Sequence, residues 1–176
     1  MDLERLVVVP DLHGQDELLE KCISSYDDDV GFIFLGDIVD GPTAAGVFNT
    51  LEIVSQLEDR KTLLLGNHEW VFWAMLTNQP GEAQDAWYEL WRRGYERNTA
   101  QAYGIDPESV RESPERIRRA VRAAGHLSVI ESAQLYYEGD TFIAVHAGLS
   151  RDESWSDQKI YLDDKMQHAR NGVFAD

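Results

Sequence analysis

The sequence predicts an α/β fold with a largely parallel sheet, and three observations carry that reading. Short apolar runs at residues 6–9, 31–35 and 62–65 alternate with two segments of helical periodicity, the order expected of parallel strands joined by crossover helices. Each run leads directly into Asp, Asn or His: Pro10-Asp11-Leu12-His13-Gly14, Gly36-Asp37-Ile38-Val39-Asp40 and Gly66-Asn67-His68-Glu69. A fourth run, Phe142-Ile143-Ala144-Val145, ends in His146-Ala147-Gly148. Open α/β sheets bind ligands at the carboxyl ends of their strands, so four polar strand ends predict one site.

Length and composition bound the answer. A chain of 176 residues with 43% hydrophobic residues suits one domain with a real core, residues 1–176. The one cysteine, Cys22, falls in a helical pattern, which excludes a disulfide framework and favours a reducing compartment. No stretch has the roughly 18 apolar residues of a membrane span, and the first strand begins too early to leave room for a signal peptide. The expectation is a cytoplasmic protein. A net charge of −16 opposes nucleic-acid and anionic-membrane partners. It suits a phosphate substrate only where bound cations reverse the local sign.

The elements follow in order. Residues 15–26 place Leu18, Leu19, Cys22, Ile23 and Tyr26 on one helical face. Asp27-Asp28-Asp29 lacks the glycine and closing glutamate of a calcium loop and reads as a solvated turn. Gly41-Pro42-Thr43 is a turn with Thr43 as helix cap, and Val47, Phe48, Leu51, Val54 and Leu57 mark the buried face of the second helix. After the third strand the pattern is helical and aromatic, with Trp70, Phe72, Trp73, Trp87, Trp91 and Tyr95. In so acidic a chain these rings read as core packing of a helical insertion, about residues 78–133, rather than a base-stacking platform. Asn78-Gln79-Pro80-Gly81 breaks the insertion. Ser113-Pro114 starts another helix, which turns Ile117 and Val121 inward and stops at Gly125. Gly139-Asp140 reads as the two-residue turn of a hairpin.

The four strand ends supply hard oxygen donors mixed with imidazoles, a set that fits manganese, iron or zinc better than calcium. Asp37 is the carboxylate expected to bridge two divalent ions. Asp11 and His13 would complete one ion, and Asn67 and His146 the other. A hydroxide held between the ions would attack phosphorus in line. His68, next to Asn67, is the candidate general acid, and Asp40 the carboxylate that fixes its tautomer.

These motifs, in this order, resemble those of the calcineurin-like metallophosphoesterases, closest to the serine/threonine phosphoprotein phosphatase branch and its bacterial relatives. The resemblance runs from about Leu6 to Ser150 and includes the segment from Trp91 to Gly104. It implies an α/β metallophosphoesterase-like β-sandwich flanked by helices and two metals, most often manganese. It also implies phosphomonoester hydrolysis without a phosphoenzyme, and it supports His68 and Asp40 in the roles just given. The implied partner is a phosphorylated protein or a small phosphoester.

Two features depart from the family pattern. An arginine that clamps phosphate usually follows the position of Asp40, where this chain has Gly41; Arg92, Arg93, Arg97 and Arg151 are candidate replacements. The family also adds a Gly-His ligand and further strands after His-Ala-Gly. Against that pattern the C-terminal part reads as shortened, and His168, the last histidine, sits in a helical pattern. An incomplete sheet would expose an edge and favour a homo-oligomer. Two rival readings therefore stand beside the phosphatase: a dinucleoside polyphosphate hydrolase, and a metal-binding relative without activity.

Overall fold

The computed structural model describes residues 5–77, 82–91, 96–110 and 112–171. The expected break at 78–81, and Arg92, Arg93 and Tyr95, lie outside these residues. Three strands, β1 (Arg5–Val9), β2 (Val30–Phe34) and β3 (Lys61–Leu63), form a parallel sheet in the order β1-β2-β3. The register pairs Val9 with Phe34 and Phe34 with Leu63, so all three strands end on one row. The loops carrying Asp11, Asp37 and Asn67 therefore leave the sheet side by side. β2 is central and buried along its whole length, as an apolar strand covered on both faces must be. β1 is an edge strand, and its Val8 is exposed.

Helices α1 (Asp16–Ile23) and α2 (Ala44–Gln56) are the two crossovers. Thr43 caps α2 as expected, its Oγ1 accepting from the Gly46 N–H at 3.1 Å, and Val47, Leu51 and Val54 are buried. In α1 only Leu19 is buried; Leu18 and Tyr26, expected inward, are exposed because the short helix contacts the core along a narrow stripe. Asp27, Asp28 and Asp29 are exposed, and Arg60 ties Asp28 to the strand start at 2.8 Å.

Between β3 and the next strand lie α3 (Asn67–Thr77), α4 (Glu82–Trp91), α5 (Glu96–Ala102), α6 (Pro114–Ala123) and α7 (His126–Glu131). Phe72, Trp73 and Trp91 are buried, and Phe72 stacks on Trp91 with ring centroids 5.9 Å apart. Ile117 and Val121 face inward, and Gly125 ends that helix with φ +79°. An isolated parallel bridge from Leu64 to Gln134 continues the sheet direction into β4 (Tyr136–Glu138), which pairs antiparallel with β5 (Ile143–Val145). The hairpin loop differs from expectation: pairing stops at Glu138 and Ile143, leaving four connecting residues closed by Gly139 N–H to Phe142 O at 2.9 Å. Helix α8 (Trp155–Arg170) follows, and exposed His168 lies within it.

Candidate metal centre and acid–base pair

The loops after β1 and β2 are stitched together by backbone hydrogen bonds. Leu12 N–H and His13 N–H both donate to Asp37 O, at 3.1 and 2.8 Å, and Gly14 N–H donates to Ile38 O at 3.2 Å. His13, Asp37 and Asp40 all take positive φ, 44°, 52° and 57°, so three polar residues carry backbone strain in one small region. Such strain persists only where the surroundings fix it.

At Asp37 the group that fixes it is Glu69. This fully buried carboxylate accepts four backbone N–H groups. Oε2 takes Asp37 at 2.6 Å and Gly66 at 3.2 Å; Oε1 takes Ile38 at 2.8 Å and Val39 at 3.0 Å. Burial pushes its carboxyl group up, against the N–H groups that favour the charged form. The loops approach so closely that a Cβ on Gly66 would lie 2.2 Å from Asp37 Oδ1. The sequence motifs give Glu69 no role. Its one signal is being the only acidic residue of α3.

Asp37 sits at the middle of the site and is 5% exposed. Its Oδ1 accepts the His68 N–H at 3.1 Å, and its Oδ2 lies 3.8 Å from His13 Nε2 and 3.6 Å from His146 Nε2. Asn67 Oδ1 is 3.0 Å from His146 Nε2, and Asp11 Oδ1 is 3.9 Å from His146 Nδ1. Side-chain donors form two groups within 4.8 Å: His13, Asp37 and His68, and Asp11, Asp37 and His146. Asp37 belongs to both, while Asp11 keeps company with His146 and His13 with His68.

The tautomers test whether cations fit here. His13 Nδ1 faces Val39 O at 3.2 Å and His146 Nδ1 faces Leu35 O at 2.8 Å. A carbonyl oxygen only accepts, so each Nδ1 carries the hydrogen and a neutral ring turns a bare Nε2 toward Asp37. Around His146 the Nε2 lone pair, the Asn67 carbonyl and the Asp37 carboxylate then converge as acceptors. Converging acceptors of nitrogen and oxygen suit a divalent cation, and backbone carbonyls behind metal-binding imidazoles are the usual support.

Beside this lies a pair of another kind. His68 Nδ1 meets Asp40 Oδ2 at 3.0 Å, and Asp40 is 2% exposed. The hydrogen bond to Asp40 raises the His68 pKa, while burial opposes it. The far side of Asp40 meets α5: Thr99 Oγ1 accepts the Asp40 N–H at 3.1 Å and donates to Asp40 Oδ1, and Asn98 Nδ2 donates to Gly41 O at 3.0 Å. Neither Asn98 nor Thr99 had a signal in the sequence, since the contact spans 59 positions. Gly41 itself is packed shut, for a Cβ there would lie 2.2 Å from His13 O. Arg97 pairs with Glu108 at 3.3 Å, and Arg151 is exposed.

Acceptors aimed at one carboxylate, on strand ends beside a His–Asp pair, make a candidate metal centre. The chain belongs to the calcineurin-like phosphoesterase family, whose pattern matches residues 4–172, and its mixed α/β architecture with a parallel sheet is that of this fold. The family is typically dinuclear and metal-dependent. Among solved structures, the chain is similar to a mutant cold-active protein tyrosine phosphatase, with a TM-score of 0.56 and 21% identity over 98% of this chain and 50% of that one. The chain thus spans half the length of that phosphatase, and the likeness is one of fold. No curated protein matches it. Among the described residues, no helix is long and apolar enough to cross a membrane.

Proposed function

We propose that this protein hydrolyses phosphomonoesters with two divalent ions, acting on phosphoserine or phosphothreonine in proteins, as one cytoplasmic unit that carries its insertion at residues 78–133. The observation that supports this most is the placing of Asp37 between the Nε2 atoms of His13 and His146. Asp11, His13, Asp37, Asn67 and His146 would hold the ions, manganese first and iron or zinc next. When bound, such ions supply an activated water for in-line attack and neutralise the phosphoryl oxygens.

The chain's own residues do the rest. His68, held by Asp40 at Nδ1, offers the proton on Nε2 to the leaving oxygen. Its neighbours favour the protonated ring that an acid needs. The Glu69 carboxylate keeps Asp37 and the loop behind it in place. Turnover of p-nitrophenyl phosphate with manganese tests the reading, and Asp37→Ala should abolish both turnover and metal binding. His68→Gln should keep the metal and lose turnover of phenyl phosphate, whose leaving oxygen needs the proton, by about 10²–10⁴-fold. Loss of metal from that variant would make His68 a ligand instead. No turnover in the wild-type protein would favour a relative that binds metal without catalysis.

Gly41 favours keeping a second reading. No side chain fits where the family clamps phosphate, so a substrate with its own orientation cues, such as a dinucleoside polyphosphate, is less penalised. Diadenosine tetraphosphate compared with phosphoserine and phosphotyrosine peptides decides. Strong preference for the phosphoserine peptide would remove the second reading.

A further inference from the structure

We infer that Thr99, in the helical insertion, is a positioning residue that aims the His68 proton donor by holding both the backbone and the carboxylate of Asp40; this rests on the phosphoesterase reading above. Thr99 is fully buried and lies on α5, far in sequence from the four strand ends. Its hydroxyl has one hydrogen, which goes to Asp40 Oδ1, and a lone pair, which takes the Asp40 N–H at 3.1 Å. Both partners belong to one residue, so the hydroxyl fixes Asp40 from two sides. Oδ2 is left for His68 Nδ1 at 3.0 Å.

Nothing else described holds that carboxylate. The carboxylate torsion of Asp is soft and roughly two-fold, so packing alone defines it poorly. Asp40 also carries φ +57°, a strained backbone that its N–H bond to Thr99 helps to retain. Asn98 adds a second hold on the next residue through Gly41 O.

The helix that brings Thr99 is itself anchored. Just past α5, Tyr103 donates its hydroxyl to Nδ1 of fully buried His126 at 2.9 Å, and His126 Nε2 donates to Glu52 at 3.2 Å. Phe48 of α2 packs on both rings, with centroids 5.8 and 4.9 Å away. The insertion thus works as a bracket between the crossover helix and the proton donor, and supports of this kind set how accurately a reacting group points.

The experiment varies the leaving group. Thr99→Val keeps the shape and removes the hydroxyl; Thr99→Ser restores it. Esters of good leaving groups need little proton donation, and poor ones need it fully. With manganese saturating, Thr99→Val should lose less than about 3-fold in kcat on 4-nitrophenyl phosphate but about 10–100-fold on phenyl phosphate and glycerol phosphate. KM and manganese content should stay at the wild-type level, and Thr99→Ser should recover most of the loss. Asp40→Asn should show the same steepening, and adding Thr99→Val to it should cost little more.

Equal loss with every leaving group, loss of manganese, or no loss at all would overturn the inference while leaving the phosphoesterase reading intact. A wild-type protein that turns over none of these esters would instead overturn that reading, and the inference with it. Should Thr99→Val fail to fold, Thr99→Ala gives the same comparison against Thr99→Ser.

Discussion

Replacing Glu69 by Gln asks whether one buried carboxylate organises the whole site. The change is nearly isosteric, yet it turns one oxygen into an NH₂ group. Each oxygen of Glu69 accepts two backbone N–H groups, Asp37 and Gly66 on Oε2, Ile38 and Val39 on Oε1. Whichever way the amide turns, two buried donors face another donor. A buried donor without a partner costs about 1–3 kcal/mol, so the substitution should cost about 2–6 kcal/mol. For a chain of this size that lowers the melting midpoint by about 10 °C. The scan is run with chelator, so that metal binding does not mask the loss. A second effect follows from position: the loop released is the one that aims Asp37, so manganese affinity should fall as well. A midpoint within about 2 °C of wild type would refute the reasoning, because it would mean the four N–H groups find other partners at no cost.

Three further outcomes follow from the same geometry. Gly41→Ala should cost about 1–3 kcal/mol or more by overpacking against the His13 carbonyl, and Gly41→Arg should restore no phosphate binding. Gly104→Ala, at φ +67° but with open space around it, should cost only about 1–2 kcal/mol, and chemical denaturation compares them. Burial lowers the His126 pKa from 6.5, while Glu52 opposes and Tyr103 faces the other nitrogen. The unfolded chain therefore takes up the proton first, so stability is full above about pH 6.5 and falls as pH drops through the folded value. His126→Gln should flatten that fall in urea midpoints between pH 7 and pH 5. Manganese at about 100 times its Kd should add about 2.7 kcal/mol of stability to the wild type and none to Asp37→Ala.

Much of this was legible because it is local. Apolar runs ending in polar residues gave β1, β2 and β3 and put Asp11, Asp37, Asn67 and His146 at strand ends, and Gly125 and Thr43 marked helix ends by chemistry that acts within a turn. What stayed hidden depends on distant packing. Leu18 has the right period for a buried face and is exposed, because periodicity cannot say how wide a stripe the neighbours will cover. Gly139-Asp140 predicts a two-residue loop where the structure has four, since Gly-Asp signals a turn without fixing where pairing resumes. The backbone carbonyls of Leu35 and Val39 that set the histidine tautomers leave no trace in side-chain identity. Glu69 and Thr99 act across 32 and 59 positions, and only the folded chain brings them to their partners.

The sealed space at Gly41 also bears on how this lineage can change. One base substitution turns a glycine codon into an arginine codon, so the guanidinium its cousins carry is always a short genetic step away. The wall formed by the neighbouring histidine carbonyl makes that step unproductive unless the first loop moves too. A phosphate grip at this position must therefore come by coordinated change, or by a cation recruited from elsewhere on the surface.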